Sequence, residues 1–329
     1  MTTTGHPVTA RPVDAEPVPS PGPARRRRRF GPHALRNLLV AAVFLAPALL
    51  IFLAFKFIPM VRAVEMSFHE VRPYLGNLWV GLENYRTLLD SDDFLPAVWH
   101  TVVLAVGQTG GSMVVGMVLA LLLEGGARHL WFIRTAVFLP TVVALAVIAE
   151  VWRVLYYPGE AGVVNSLIGW VGLGPSQFFN SADTSLWSVM SVGIWRGAPY
   201  DMMIILAGLA GVDRTLYEAA AVDGATIRQR LWHVTFPALR PVFAILFTLA
   251  AIRGLRVFTE IYLLTDGGPN GSTEVIMTLM FKLGLDRSEL GVASAGSIML
   301  LLATVVLTLA VQLARRRRAD RPRKEAPSR

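Results

Sequence analysis

The sequence predicts an all-α polytopic membrane protein: a six-helix transmembrane bundle with one helical loop on its cytoplasmic side. Three observations predict it. Hydrophobic residues make up 53% of the 329-residue chain and charged residues only 16%. The apolar residues gather in long runs instead of following the period of an amphipathic helix or strand. Lys and Arg fall on alternate connecting segments, as they do when successive helices cross a bilayer.

The runs are Leu38 to Ile58, Ala97 to Leu123, Phe132 to Leu155, Leu186 to Ala210, Leu239 to Leu264 and Gly291 to Leu313. Each is near the ~20 residues that cross ~30 Å of hydrocarbon. Basic residues number seven up to Asn37, two in Glu124 to Arg134, four in Gly211 to Arg240 and eight from Arg315 onward. The alternate segments hold three between Pro59 and Pro96, Arg153 alone near Tyr156 to Ser185, and two between Thr265 and Leu290. Both termini and the 211–240 loop are therefore expected in the cytoplasm.

The net charge of +8 follows from this topology and does not indicate a nucleic-acid partner. Residues 1–37 carry Pro at 7, 12, 17, 19, 21 and 23 and then Arg25 to Arg29. They read as a disordered cytoplasmic tail whose arginines fix orientation and touch anionic membrane lipid. The run from Leu38 is too long for a signal-peptide core and lacks a small-residue cleavage site, so it is expected to stay as the first helix. Residues 314–329 read as a second basic cytoplasmic tail. There is no cysteine, which excludes disulfides and thiolate metal sites, and the six histidines lack ligand spacing. No metal site is expected.

The loop of about 30 residues between the fourth and fifth runs is polar-faced and regular. Leu216 to Val222 are good helix formers, Gly224 offers the left-handed conformation that ends a helix, and Thr226 to Phe236 can form a second helix stopped before Pro237. Ala219, Ala220 and Ala225 permit close approach of a partner, and Glu218 offers it a carboxylate. The pattern suits a docking element.

Glu218-Ala219-Ala220, Asp223-Gly224-Ala225 and Val234-Thr235-Phe236-Pro237 resemble the coupling motif of permease subunits in binding-protein-dependent ATP-binding-cassette importers. Arg228 and Leu231 stand where the sugar branch usually has aromatics, and Phe236 replaces the leucine before Pro237. Gly81 to Leu89, with Phe94 and His100-Thr101, is similar to the segment before helix two of carbohydrate permeases. Leu264 to Pro269 with Ser272-Thr273 resembles the loop after helix five of that branch, and its Gly267-Gly268-Pro269 is typical of the first of two paired subunits. The resemblance spans roughly Ala34 to Leu313, making 38–313 a permease domain. It implies a second homologous permease, two ATPases and an extracytoplasmic solute-binding protein as partners. It also implies that ATP and Mg²⁺ act on the ATPases, leaving this chain with no cofactor and no catalytic residue. The absence of a GxxxxGK[ST] phosphate loop agrees, since the glycines of Gly107 to Gly116 sit inside a hydrophobic run and suit tight helix contact.

Ionisable groups inside the runs are costly and mark function or structure. They are Arg196, Asp201, Arg253, Arg256 and Glu260. Glu260 follows Arg256 by four positions, on one helical face. Two readings stand: an ion pair that locks the fifth helix, or a polar wall of the solute path, with Trp195, Tyr200 and Tyr262 giving flat faces for a sugar ring. Glu150 and Arg153 are expected to form a surface pair. A glycerol-phosphate or other organic solute, or else a membrane enzyme or channel subunit, is the alternative to carbohydrate import. The three arginines would suit an anionic solute.

Overall fold

The structure, a computed structural model, describes residues 32–72 and 74–319. The proline-rich segment up to residue 31 and the last ten residues lie outside the described residues; of the tail expected to be disordered over 1–37, residues 32–37 are described and are helical. The described residues fall into two units divided after Ile58.

In the first unit, α1 (Pro32–Phe52) starts six residues before the expected Leu38. Proline is well placed at a first helical position, where no N–H partner is needed. The helix passes through Pro47 and widens at Leu53–Phe57, where the Ile58 N–H reaches back five residues to the Leu53 carbonyl. The next residue is Pro59, which has no N–H and whose ring crowds the carbonyl four residues back, so a widened turn is a natural approach to it.

The second unit begins with the end of α2 (Ile58–Met66), followed by an antiparallel pair of two-residue strands, β1 (His69–Glu70) and β2 (Leu78–Trp79), in register His69 to Trp79. Next come α3 (Glu83–Leu89), α4 (Phe94–Leu122), α5 (Arg128–Val142), α6 (Leu145–Leu155), α7 (Val163–Gly169) and α8 (Ala182–Ala210). The 211–240 region holds α9 (Arg214–Val222), α10 (Ile227–Arg230), a widened turn at Leu231–Thr235 and α11 (Phe236–Ala238). Then α12 (Arg240–Gly254), α13 (Thr259–Leu264), α14 (Ile276–Phe281) and α15 (Leu290–Ala319) complete the unit. The last helix runs six residues into what reads as a basic tail.

Length and apolarity alone select Val40–Met66, Phe94–Leu122 and Leu290–Leu313 as spans, and up to five when two bent pairs are included, against the six expected. The missing one is α8. At 29 residues it is ~44 Å long, but Arg196 and Asp201 sit at its middle.

Two expected spans are broken. The third bends by 99° between α5 and α6. Pro140 removes a backbone donor in the last turn of α5, and Val143 and Ala144 then turn extended, with ψ of 140° and 133°. The fifth bends by 64° at Leu239, where Pro237 and Pro241 flank the break and the Leu239 side chain is fully buried. It ends early as well, at Gly254, and restarts at Thr259.

The core is organised around α4 against α8. Gln108 and Ser112, four apart on α4, lie over Gly193 and Gly197, four apart on α8. At Gly116 the facing backbone itself comes close: a Cβ there would sit 2.8 Å from the Ala198 carbonyl oxygen and 2.9 Å from Asp201 Cβ. Only a hydrogen fits, so the backbones meet as small residues allow in membrane helices. Three apolar clusters surround this seam. One joins Leu104, Val189, Val192, Ile261 and Val275, a second joins Leu88, Phe94, Leu279 and Ala293, and a third joins Met117, Met202, Ile205, Leu239 and Leu246.

Asn84 and Tyr85, two residues that carry the family resemblance, serve this packing. Asn84 Nδ2 donates to the carbonyls of Ser67 and His69 at 2.9 Å each, and Tyr85 Oη donates to Ser67 Oγ at 2.9 Å. A Cβ at Gly291 would collide with the His69 carbonyl and with Asn84, so the start of α15 lies directly on this staple.

Gly116→Leu is expected to wedge α4 from α8 and lower stability by about 1–3 kcal/mol, as overpacking does. Gly126→Leu, at a position with no neighbour within 4 Å of a Cβ, is its control. Thermal unfolding of the purified protein in detergent checks both, and equal melting shifts would contradict the close seam.

Candidate functional site

The polar residues buried in α8 and those of the broken fifth segment converge. Asp201, only 1% exposed, accepts hydrogen bonds from Ser112 Oγ and, at 3.0 Å, from Arg253 Nη2. A buried carboxylate is tolerable with such partners, because each bond replaces lost solvation. The Arg253 guanidinium lies 5.0 Å from the centre of the Tyr200 ring, a cation–π contact. Nearer the Ala182 end of α8, Arg196 Nη1 bonds Glu260 Oε1 at 3.2 Å.

These pairings correct one expectation. Arg256 and Glu260 do not share a helical face, because α12 ends at Gly254 and Arg256 falls in the four-residue link before α13. Glu260 pairs with Arg196 instead. The link exists because a Cβ at Gly254 would lie 2.7 Å from Ala105 Cα of α4, so α12 reaches α4 there and the chain turns away.

Between α4, α8 and this link lies a cavity of about 380 Å³, lined among others by Gln108, Thr109, Ser112, Arg196, Arg253, Arg256 and Glu260. Its wall contains two buried polar atoms without a hydrogen-bond partner, Gln108 Oε1 and Arg196 Nε. The four charged residues expected on a solute path, Arg196, Arg253, Arg256 and Glu260, are thus brought together. The three aromatics expected beside them do not line this cavity. Trp195 packs edge-on against Trp152 at 5.4 Å and borders a separate apolar groove with Pro140 and Val143. Tyr262 packs against Phe258 and Phe281, while Tyr200 is placed under Arg253. Aromatic side chains in membrane helices have lipid and packing roles that their sequence position does not reveal.

Gln108, Thr109 and Ser112 escaped the sequence reading. Their signal was a polar cluster inside an apolar run, masked by the glycines between them. Glu150 and Arg153 do pair, at 2.9 Å, and Arg153 also donates to the Leu263 carbonyl at 2.6 Å, tying α6 to α13. After α13, Lys282 Nζ donates to the Asp266 carbonyl and to Glu274 Oε2, both at 2.7 Å, which pins the Gly267-Gly268-Pro269 loop.

The second candidate site is the 211–240 loop. Asp213 caps α9 by accepting from the Thr215 N–H at 2.9 Å. The chain leaves α9 through Gly224 with φ of +73°, the left-handed conformation expected there. Thr226 and Gln229 then cap α10 reciprocally. The second helix does not stop before Pro237. The widened turn lets the Phe236 N–H bond the Leu231 carbonyl, and the helix carries on through the proline. Tyr217 Oη and Thr235 Oγ1, 3.0 Å apart, hold the two arms together.

The outer face of this loop is bare. Glu218, Ala219, Asp223 and Gly224 are exposed, Ala220, Ala225 and Pro237 are half-buried, and Val222 and Ile227 are 88% and 80% exposed. Glu218 has no hydrogen-bond or ion-pair partner among the described residues. Leu231 is half-buried and Trp232, one position later, packs at a tilt against Phe236 with ring centres 4.9 Å apart, supplying an aromatic beside the place where the resemblance lacks one.

Two predictions follow from these geometries. Asp201→Asn and Arg253→Gln should be coupled by about 0.5–3 kcal/mol in a double-mutant cycle on thermal stability, and simple additivity would refute the pair. The Thr215 backbone N–H, and then its side chain, hold the Asp213 carboxyl below the ordinary carboxylate range. Its folded value is depressed, so the cap contributes fully above the unfolded carboxylate pKa and is lost as pH falls through the folded one. Asp213→Asn should keep a cap and flatten the acid limb of loop protection, read by amide hydrogen exchange.

Comparison with known proteins places the chain. Residues 24–319 match the family described as "Binding-protein-dependent transport system inner membrane component". The chain is 31% identical over 279 residues to the probable ABC transporter permease protein YurN of Bacillus subtilis strain 168, covering 83% of this chain and 95% of that protein. It is 30% identical over 270 residues to the arabinooligosaccharides transport system permease protein AraP of the same organism, covering 81% and 85%. Among solved structures, a chain of a bacterial ABC transporter involved in the import of the acidic polysaccharide alginate superposes with a TM-score of 0.76 at 28% identity, covering 87% of this chain and 97% of that one. With its predominantly helical fold and membrane-length apolar helices, the chain belongs to the binding-protein-dependent transport system inner membrane components.

Proposed function

We propose that the chain is one permease half of an ATP-binding-cassette importer for a saccharide and that it couples solute passage to ATP hydrolysis carried out elsewhere. Membership of the binding-protein-dependent family and similarity to an arabinooligosaccharide permease support the saccharide reading. The observation that carries the coupling role is the bare loop: Glu218 without a partner among the described residues, and exposed Val222 and Ile227 around a glycine-split helix pair. Exposed apolar side chains next to an unpaired carboxylate suit a partner surface that is both greasy and basic.

In this reading α8 is the fourth of six spans and both termini and the 211–240 loop are cytoplasmic, in accord with the basic-residue bias. A second, homologous permease completes the path as a heterodimer. Two ATPases dock on the loops of the pair and hold the ATP and Mg²⁺, and an extracytoplasmic binding protein delivers the solute. ATP-driven closure of the ATPases draws the two docking loops together. The bundles then rock from inward-open to outward-open, and hydrolysis resets them. The chain transmits force and shapes the path, and its own residues perform no covalent step. Gln108, Ser112, Arg196, Arg253, Arg256 and Glu260 form the wall past which the solute moves.

Affinity purification of tagged chain from a strain expressing the whole importer tests the docking role. Glu218→Ala should weaken ATPase retention by about 2 kcal/mol or more, as truncating one member of an interfacial charge pair does. Gly224→Val, which meets no neighbour within 4 Å, should leave membrane levels intact while the strained backbone redirects α10 and uncouples uptake. Retention and uptake equal to the unmodified protein in both variants would sink the proposal.

A further inference from the structure

A second cavity, of about 780 Å³, lies where α4 and α8 end, against α5 and both arms of the 211–240 loop. Arg134 of α5, Arg214 of α9 and Arg230 of α10 line it, and Glu124 is its one acidic side chain. Three guanidiniums against one carboxylate leave a surplus of two positive charges. Arg134 is engaged, donating through Nε to the Leu123 carbonyl at 2.9 Å and through Nη2 to the Gly125 carbonyl at 2.6 Å. It answers the partial negative charge at the end of α4, as a basic side chain near a helix C-terminus does. Arg214 and Arg230 do not. Their side chains have no hydrogen-bond or ion-pair partner among the described residues, Glu124 included. Arg214 is exposed, but Arg230 is half-buried and its Nε is a buried donor with nothing to donate to. Buried polar groups are satisfied as a rule, and an exception calls for a specific explanation.

The unmet groups and the rest of the wall define the occupant. Two free guanidiniums in one cavity suit phosphate oxygens, which accept their paired N–H groups. Two features then select among phosphates. Because α4 and α8 both end at the cavity and Glu124 lines it, a dianion meets negative charge there that a monoanionic phosphodiester tolerates better. Leu121, Leu206 and Leu209 make part of the wall apolar, and Leu122, Trp131 and Phe132, at the neighbouring ends of α4 and α5, are exposed. Exposed tryptophan at the end of an apolar helix marks the level of lipid headgroups. A basic pocket between membrane helices on the cytoplasmic side is a headgroup site by its physics. A phosphodiester on a glycerol stem with acyl chains satisfies the polar and the apolar parts of the wall, whereas a soluble phosphate satisfies only the first.

We propose that this cavity binds an anionic phospholipid of the cytoplasmic leaflet, with its phosphate on Arg214 and Arg230 Nε and a headgroup hydroxyl donating to Glu124. This rests on the cytoplasmic placement of the 211–240 loop proposed above and adds a ligand to it. The bound headgroup ties α9 and α10 to the ends of α4 and α8, so the lipid becomes part of the base on which the docking loop stands.

The test uses the whole transporter, permease pair with ATPases, purified in detergent and titrated with phosphatidylglycerol or with phosphatidylcholine of the same acyl chains, while native mass spectrometry counts the lipids retained. Phosphatidylglycerol should be held at least about ten-fold more tightly than phosphatidylcholine. Arg230→Gln should weaken it by about five-fold, and Arg214→Gln, at an exposed side chain where misfolding is no explanation, should do the same. Arg128→Gln, which removes the same charge from the start of α5 outside the cavity, should leave retention unchanged. Equal retention of the two lipids by the unmodified transporter, or an equal loss in Arg128→Gln, overturns the site. Displacement of phosphatidylglycerol by equimolar inorganic phosphate assigns the two arginines to a soluble anion. Loss of the ATPases from both cavity variants with the lipid count unchanged assigns them to the ATPase surface, and either outcome overturns the proposal. The cytoplasmic placement is checked separately, since the chain has no cysteine of its own. Gly126→Cys, where a Cβ meets nothing within 4 Å, should resist a membrane-impermeant maleimide in intact cells. Labelling there overturns the topology, whereas failure of the lipid arms with that position protected overturns the lipid site alone and leaves the importer reading standing.

Discussion

The close approach of α4 to α8 at Gly116 is the constraint on which the rest of the second unit depends. The backbones meet there because neither helix offers a side chain in the way, and the neighbouring Asp201 is carried into the interior as a result. A carboxylate that deep needs partners. Ser112 comes from the helix that made the contact and Arg253 from the fifth segment, so one packing event dictates where a third element must lie. The same seam sets Gln108 over Gly193 and gives the cavity one of its walls.

The sequence told more about the docking loop than about the cavity. Gly224 and the two short helices were readable because turn chemistry is local: a glycine that needs positive φ acts within a few residues, and the Thr226–Gln229 capping pair, equally local, was passed over. The charged residues of the cavity were readable as well, since ionisable side chains stand out in apolar runs. What could not be read was their pairing. Arg256 and Glu260 are four apart, and only the tertiary contact of Gly254 with Ala105, invisible to any local pattern, ends the helix between them. The aromatics misled for a related reason. Trp195 and Tyr262 satisfy neighbours on their outward sides, and a flat ring near a polar cluster has no intrinsic direction in sequence. Pro140 and Pro237 behave alike: each is carried inside its helix, and the segment bends only a few residues later, by 99° and 64°, so the proline marks the neighbourhood of a break and not its position.

The two candidate sites lie at different levels of the second unit and have different chemistry. The 211–240 loop presents exposed carbon and two carboxylates, Glu218 and Asp223, without a partner among the described residues, which suits recognition of another protein. The cavity presents buried donors and acceptors with an excess cation, which suits a small polar molecule. α8 and α12 flank the loop in sequence and also form walls of the cavity, so a displacement of the loop reaches the cavity through two rigid helices.

The two ion pairs that bind α8 to the fifth segment are arranged with opposite polarity. Along α8 the order is cation then anion, Arg196 then Asp201, about 7.5 Å apart on the axis, and facing them stand Glu260 and Arg253 in the complementary order. Sliding one element past the other by that distance would set guanidinium against guanidinium or carboxylate against carboxylate. Tilting about the seam would disturb neither pair so severely. The arrangement therefore works as a keyed joint, resistant to shear and tolerant of rotation, which is the mechanical selectivity that the rocking proposed for the bundle would require.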